Sequence, residues 1–405
     1  MAEIGAAAPG PVTFDHVRPR RMSVVTFRKR AHAPRSLRFR TAQGEPAAMS
    51  SSVTQRVRFA LLPLAAVVAI ACGNAASTGI TQTVPDATTD TTETTTSESS
   101  LAPAGARSFY TLDQSGGGLV RVDPDNGQVD EILDLEGSVY AMDQAAGHLW
   151  LGTDSGSVLR VDPAAGSTVA EIAAPSSEGI FDVSAGPDAT WVLYGIPGAG
   201  TSLVKIDAAS NTAGAPIAAA EGLSFFDVEA GDEGTWLVGS SPEMATTLYA
   251  VDPTTGDLTD QNVQMVIDSI ASGEGAVWLG GTIFPDGAVG VPGIGKFDPA
   301  SGELTTTEVP GEAGSIAVGS GGVWAVAGLG EDGTELYRIE PATGEVTATI
   351  PLGEADSGYV KVSTGAGAVW VTTAGGASYA VDPADNTVAG EADSMGTLGL
   401  FFPES

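Results

Sequence analysis

Cysteine and histidine are nearly absent from this sequence. Its 405 residues include 1 cysteine and 3 histidines. A lone cysteine forms no disulfide within a chain, so stability has to come from a packed core. Of the histidines only His148 follows Cys72, and no H-E-x-x-H motif occurs. A zinc site built from His and Cys is therefore excluded.

Positive charge is scarce as well. The chain has 18 Lys+Arg against 50 Asp+Glu, a formal net charge of −32. Residues 1–71 hold 11 of the basic and 3 of the acidic residues, which leaves 7 basic and 47 acidic residues in the remainder. Such a surface repels nucleic acid and anionic lipid headgroups. We therefore expect no nucleic-acid partner, and the charge favours solubility or attraction of a cation or a basic partner.

Helical periodicity is the third absence. No window keeps a 3.6-residue apolar period long enough for a helix. Short apolar runs alternate with turn residues instead, most clearly in residues 315–350, where four runs are separated by Gly-rich or Pro-Gly turns. These runs, A to D in order, are rich in β-branched and aromatic residues, which predicts four antiparallel β-strands.

This four-strand unit recurs seven times along the chain. An acidic residue precedes each turn between strands C and D, at steps of about 39 to 46 residues. Strand B carries a tryptophan in six units and Tyr110 in the first. The acidic residues are Asp123, Asp162, Asp207, Asp252, Asp298, Glu340 and Asp382, and the tryptophans are Trp150, Trp191, Trp236, Trp278, Trp324 and Trp370.

A period of 40 to 45 residues made of four strands is typical of a β-propeller blade. The first unit lacks strand A, and residues 397–402 resemble the A strands elsewhere. We therefore predict an all-β fold, a seven-bladed β-propeller over residues 107–405 with four-stranded blades. The C-terminal strand completes the first blade and closes the ring, with an open solenoid as the alternative.

The N-terminal part is predicted to direct export. Residues 49–71 contain Arg56 and Arg58 followed by the apolar run 59–71, which is the pattern of a signal peptide. This run is shorter than a typical membrane-spanning helix. Cys72 follows small residues as in a bacterial lipobox, although Ala69 replaces the usual leucine. This resemblance implies lipidation of Cys72 and a membrane contact through the lipid anchor only. Residues 1–48 are interpreted as a misassigned upstream extension or as disordered.

Residues 72–106 are rich in Thr, Ser, Asp and Glu. Such a composition cannot bury a core, which predicts a disordered stalk between the anchor and the propeller. The predicted location is the outer face of the cell membrane, and the predicted state is a monomer.

Candidate site residues come from the A strands, which line the central channel of a propeller. The connections from D to A and from B to C lie on its usual ligand face. Candidates around the channel are Asp182, Asp227, Asp268, Lys361, Tyr140 and Ser315. The first three carboxylates are the candidate ligands for Ca²⁺ or Mg²⁺, which prefer oxygen donors. The alternative is a solvated channel entrance, where polar residues are ordinary.

Two further features bear on the ligand face. The longest loop spans residues 280–295, and we expect Ile283 and Phe284 in it to be exposed. His148 falls in a turn between strands A and B on the opposite face, so no Ser-His-Asp triad can form on the ligand face. The acidic turns between C and D also lie on the opposite face, where Asp is expected to cap backbone N–H groups without an ion.

The units around Trp324 and Trp370, with sequences GSIAVGSGGVWAVAG and YVKVSTGAGAVWVTTAG, resemble the YVTN-type propeller repeat and the repeats of virginiamycin B lyase-like propellers. The resemblance covers residues 107–402 and implies the propeller fold. Those lyases use a histidine and Mg²⁺ on the ligand face. This chain has no histidine there, so the resemblance does not imply lyase activity.

The function predicted from the sequence is therefore a binding or interaction module at the cell surface. Its ligand is an unknown protein or a small molecule, including a carbohydrate-like wall component, and no cofactor is required. One alternative is a divalent-cation-dependent lyase or hydrolase on the ligand face. Another is a purely structural envelope protein.

Overall fold

The computed structural model describes residues 103, 106–113, 117–126, 128–175, 178–187, 189–196, 200–287, 289–330, 333–353, 360–373 and 377–393. The predicted upstream extension, signal peptide, lipidated Cys72 and closing strand at 397–402 lie outside these residues, as does almost all of the predicted stalk. The propeller can be compared with its prediction strand by strand.

The described strands form seven antiparallel sheets in chain order, which we number as blades 1 to 7. Blade 1 contains β1 (Phe109–Leu112), β2 (Gly118–Asp123) and β3 (Gln128–Asp134). Blade 2 contains β4 (Val139–Ala145), β5 (His148–Thr153), β6 (Ser157–Asp162) and β7 (Ser167–Ala173). Blade 3 contains β8 (Ile180–Ala185), β9 (Thr190–Ile196), β10 (Gly200–Asp207) and the short β11 (Thr212–Ala213) and β12 (Ile217–Ala218), both paired with β10.

The remaining blades follow the same order from strand A to strand D. Blade 4 contains β13 (Ser224–Gly231), β14 (Gly234–Ser240), β15 (Thr246–Val251) and β16 (Leu258–Asp260). Blade 5 contains β17 (Met265–Gly273), β18 (Ala276–Ile283), a 3-10 turn at Pro285–Gly287, β19 (Val291–Asp298) and β20 (Glu303–Glu308). Blade 6 contains β21 (Ala313–Gly319), β22 (Gly322–Gly330), β23 (Gly333–Ile339) and β24 (Val346–Pro351), and blade 7 contains β25 (Val360–Gly365), β26 (Ala368–Thr373), β27 (Ala377–Asp382) and β28 (Thr387–Asp393).

The predicted seven-bladed ring is confirmed. Blade 7 packs on blade 1, where the rings of Phe109 and Trp370 lie 4.5 Å apart between centroids. The N–H of Arg107 donates to the carbonyl of Ala366 over 2.9 Å at the same junction. The ring therefore closes through contacts between its first and last blades, which protects the sheet edges.

The strand-B tryptophans are buried between neighbouring blades. Trp150 lies in one apolar cluster with Val183 and Val192 of blade 3, and Trp236 lies in another with Met265 and residues of blade 5. Each indole is at most 4% exposed. Burial of such large rings at every junction supplies much of the core, because apolar burial is the main favourable term in folding.

Four cations on strand C extend these junctions. Each lies over the tryptophan of its own blade, 5.1 to 5.8 Å from the ring centroid. Each also donates to backbone carbonyls in the C-to-D turn of the next blade. We call them the turn-binding cations: Arg160, Lys205, Lys296 and Arg338.

The acidic C-to-D turns have the structural role expected from the sequence. Asp252 accepts N–H groups of Thr254 and Thr255, and Asp207 accepts those of Ala209 and Ser210. In two turns an asparagine with positive φ accepts a guanidinium bond from the preceding blade: Arg160 donates to Asn211, and Arg338 to Asn386. These turns are therefore capped within the protein.

We predict that Arg338→Met lowers the free energy of unfolding by about 2 kcal/mol, because it removes charge-assisted hydrogen bonds and a contact with Trp324. The matched control is Arg121→Met. Arg121 also stands opposite a strand-B aromatic residue, Tyr110, but its ion pair with Asp130 is exposed. Urea unfolding of both variants measures the difference, and equal losses would contradict a special role for the turn-binding cations.

Candidate functional site

The inner strands carry acidic side chains that connect neighbouring blades. Asp182 of blade 3 accepts the N–H of Val228 in blade 4 over 2.8 Å, and Asp227 of blade 4 accepts that of Ile270 in blade 5 over 3.2 Å. In each pair the N–H belongs to the next blade's inner strand. The free edges of these strands at the channel are thus satisfied by side chains from the neighbouring blade.

A second tier lies two positions further along the inner strands, on β4 and β13. Asp143 of blade 2 accepts the N–H of Ala185 over 2.6 Å. Glu229 of blade 4 accepts both the N–H and the hydroxyl of Ser272, over 3.1 and 3.0 Å. Asp143, Asp182, Asp227 and Glu229 are called the channel carboxylates below.

All four channel carboxylates hold protons more tightly than usual. Burial raises the pKa of Asp143 to about 6. Burial, followed by the charge of Asp143, raises the pKa of Glu229 to about 7. Burial also raises the pKa of Asp182 and, together with the charge of Asp182, that of Asp227 well above its usual range. Backbone N–H groups oppose these shifts because they stabilise the charged form.

Lys361 on β25 is the basic residue that acts on this group. Its positive charge lowers the pKa of Asp143, Asp182 and Asp227, opposing the larger effect of burial. The channel carboxylates come from blades 2, 3 and 4, whereas Lys361 comes from blade 7. Negative charge is therefore concentrated on one part of the channel wall, within the field of a single cation.

The remaining candidates lie apart from this group. Ser315 accepts the N–H of Val362 over 3.1 Å, which repeats the inter-blade bond in neutral form. Tyr140 and Asp268 stand at β-bulges near the start of their inner strands, and both side chains are exposed. Partial desolvation of the Asp268 carboxyl, followed by the charge of Glu312, raises its pKa to about 6. The Asp268 side chain nevertheless keeps contact with solvent. The bulges turn these residues away from the inter-blade bonds.

The long loop is shorter than the sequence indicates, because β18 extends to Ile283 and β19 begins at Val291. The expectation that Ile283 is exposed is wrong: it is 2% exposed and packs in the apolar core of blades 4 and 5. Phe284, one residue later, is 43% exposed as expected. The strand alternation reverses the side-chain direction between the two residues.

The structure gives no geometric support to a metal centre at the three predicted carboxylates. Among the described residues, no group of three or more His, Cys, Asp or Glu side chains is placed to hold a metal ion. Asp182 and Asp227 lie close enough to affect each other's pKa, while the pKa of Asp268 is influenced by Glu312.

Within the described part of the chain no helix is long and apolar enough to span a membrane.

Asp143 and Glu229 are functional candidates that sequence reasoning missed. Asp182, Asp227 and Ser315 each lie nine residues before the tryptophan of their blade, whereas these two lie seven residues before Trp150 and Trp236. Since side chains on one face of a strand alternate with period two, the seventh position lies on the same face as the ninth. An acidic residue at both positions in one strand, as in β13, is the signal that could have identified them.

We predict that Glu229→Gln weakens the pH dependence of stability. The ordinary pKa of a glutamate is 4.5, and that of Glu229 in the folded protein is about 7. Between these two pH values Glu229 keeps its proton in the folded protein and loses it in the unfolded chain. Stability therefore falls as pH rises through this window. The glutamine oxygen can accept the same bonds from Ser272, so the variant should gain about 1 to 2 kcal/mol at pH 7.5.

Thermal unfolding at pH 4.5 and pH 7.5 measures this effect, with exposed Glu303→Gln as the control. A Glu229→Gln variant that is as pH-sensitive as the original protein would contradict the assignment.

Comparison with known proteins supports the fold and no narrower relationship. The sequence matches no protein-family model and no curated protein sequence. A Kuenenia stuttgartiensis hydrazine synthase structure is similar at 13% identity and a TM-score of 0.50, covering 76% of this chain and 99% of that one. A chain of the mitotic checkpoint complex is similar at 11% identity and a TM-score of 0.50, covering 74% and 96%. BamB from Moraxella catarrhalis has 15% identity and a TM-score of 0.44, covering 73% and 85%. At such identities the similarity concerns the β-propeller architecture alone.

Proposed function

We propose that this β-propeller is an exported, lipid-anchored binding module. It holds a basic segment of a partner protein at the end of the ring that carries the D-to-A and B-to-C connections. The observation that carries the proposal is the placement of exposed apolar side chains. Eight large apolar side chains are exposed among the described residues, and five lie at this end of the ring. We call these five the apolar collar: Tyr140, Ile196, Met244, Phe284 and Val289.

The apolar collar is continuous in the order of the blades. Tyr140 belongs to blade 2, and Ile196 and Met244 stand at the B-to-C connections of blades 3 and 4. Phe284 and Val289 flank the 3-10 turn in the same connection of blade 5. Exposed apolar side chains that gather on one face of a rigid scaffold are typical of an interaction surface.

Met244 supports this interpretation through its backbone. Its φ is 66°, a left-handed conformation that a long side chain rarely adopts. Two hydrogen bonds between Ser241 and residues 244–245 hold the turn in this form. A left-handed backbone that keeps an apolar side chain in solvent supports the proposed binding role of Met244.

The collar and the channel carboxylates share one side of the ring. The carboxylates come from blades 2 to 4 and the collar from blades 2 to 5. A partner segment with a Lys or Arg flanked by apolar side chains matches both features, because its charge can enter the acidic channel while its apolar groups cover the collar. This arrangement would also steer a basic partner during its approach.

Few basic side chains are left to offset this attraction. Of the 7 basic residues after residue 71, the four turn-binding cations are bonded to neighbouring blades and Arg121 is paired with Asp130. The net field of the propeller is therefore strongly negative, which disfavours nucleic acid as the partner.

The location of this module is also part of the proposal. The apolar run before Cys72 and the small residues next to it support export, cleavage and lipidation of Cys72. The Thr-rich segment that follows would hold the propeller, as a monomer, away from the outer face of the membrane.

Two alternatives predicted from the sequence remain to be separated from this proposal by experiment. The first is a lyase or hydrolase that uses Ca²⁺ or Mg²⁺ at Asp182, Asp227 and Asp268. The second is a structural envelope protein. The inter-blade bonds of Asp182 and Asp227 make binding through the collar the better supported function.

We predict that replacing collar side chains strongly weakens partner capture. The test variant of the full chain combines Ile196→Ser, Met244→Gly and Val289→Ser. Its affinity for the envelope protein that crosslinks to the original chain should fall at least about 100-fold, because central apolar contacts contribute about 1 to 2 kcal/mol each. Met244→Gly also relieves the left-handed strain, so the loss should not reflect unfolding.

The matched control replaces exposed valines on the outermost strands: Val129→Ser, Val169→Ser and Val388→Ser. Equal loss in both triple variants would contradict a binding role for the collar. A rise in melting temperature with Ca²⁺ or Mg²⁺ that disappears in an Asp182→Asn, Asp227→Asn variant would favour the enzyme instead.

We further predict that labelled fatty acid is incorporated at Cys72. Mass spectrometry of the mature N-terminus should find an acylated Cys72, and Cys72→Ser should remove the label because no other thiol exists. Mature peptides that map upstream of residue 49, or an unmodified Cys72 within an intact chain, would contradict export as a lipoprotein.

A further inference from the structure

A groove opens where blade 4 departs from the repeat. Its outer strand, β16, has three residues, whereas the outer strands of blades 1, 2, 5, 6 and 7 have six or seven. The chain leaves the sheet after Gln261, which donates its N–H to Leu248, and Asn262 turns it toward blade 5 with a φ of 50°. A groove of about 460 Å³ lies beside this segment, between it, Phe284 and β20 of blade 5.

The groove is lined by neutral hydrogen-bonding groups. Gln261, Asn262 and Gln264 border one side, and Thr306 of β20 borders the other. The amide nitrogen of Gln261 donates to Thr259 over 2.8 Å, which orients this side chain. In the described part of the chain, neither its amide oxygen nor the Thr306 hydroxyl makes a hydrogen bond. These groups are therefore available to a ligand.

Phe284 forms an apolar wall beside these amides. Its ring packs over Gly290, where an added Cβ would come within 2.9 Å of the ring edge. The N–H of Gly287 donates to the Phe284 carbonyl over 3.1 Å and closes the 3-10 turn that supports it. The ring is thus held in place with 43% of its surface in solvent. A fixed, exposed aromatic face is suited to stacking against a flat ligand surface.

We propose that this groove binds a neutral carbohydrate. Sugar hydroxyls both donate and accept hydrogen bonds, as side-chain amides do, and the C–H face of a sugar ring is apolar enough to lie on Phe284. No residue lining the described part of the groove is charged, so this part offers neutral groups rather than those that bind phosphates, carboxylates or cations. Its volume lies within the range of small-ligand sites.

This site overlaps the collar at Phe284 but does not depend on the binding of a basic partner proposed above. It uses the outer junction of blades 4 and 5 and none of the channel carboxylates. Phe284 belongs to both surfaces, but it is unchanged in the collar variant. Loss of partner capture in that variant therefore tests the collar, and sugar binding tests the groove independently.

The test uses the full chain and three neutral trisaccharides: cellotriose, mannotriose and chitotriose. Saturation-transfer NMR should detect at least one of them, with transfer to ring C–H protons. Phe284→Ala and Gln264→Ala should each weaken binding roughly tenfold. Val169→Ala, which shortens an exposed apolar side chain on the outer strand of blade 2, should leave binding unchanged.

Absence of transfer to all three sugars would overturn the proposal. So would binding that persists in both groove variants, or that Val169→Ala weakens as much as Phe284→Ala. Thermal unfolding of each variant, expected to match the original protein because these side chains are exposed, confirms that a loss reflects the groove.

Discussion

The structure depends on how the inner strand of each blade satisfies its free edge. An inner strand has one hydrogen-bonded neighbour within its sheet, so backbone N–H groups on the other edge face the channel without strand partners. Side chains from the preceding blade accept these N–H groups, as Asp182 does for Val228 and Glu229 does for Ser272. The same bonds connect the blades, so ring assembly and edge protection are achieved by one set of contacts.

This solution has an electrostatic consequence. Serine can accept one backbone N–H without charge, as Ser184 and Ser315 do, whereas the channel carboxylates of blades 2 to 4 are made difficult to ionise by burial. Charged acceptors form stronger bonds but repel one another across the channel. A positive group that entered the channel would relieve this repulsion, which links the fold to the proposed attraction of a basic segment.

Departures from the repeat give the molecule its distinct surfaces. The repeated features are the buried tryptophans, the turn-binding cations and the capped turns, and they hold the blades together. Among the described residues, the left-handed turn at Met244, the 3-10 turn after Phe284 and the three-residue strand β16 interrupt the repeat. All three lie in blades 4 and 5, next to the proposed binding surfaces, because loops tolerate changes that the packed strands do not.

The sequence by itself determined the number of blades, the order of strands and the capping role of the acidic turns, since these follow from local periodicity and turn chemistry. It also placed Asp182, Asp227 and Lys361 on inner strands. It did not reveal that the carboxylates accept N–H groups from the next blade, that Ile283 points into the core, or that Arg338 reaches the turn of blade 7. Those relations join residues about 45 positions apart, and only the tertiary packing of neighbouring blades brings them together.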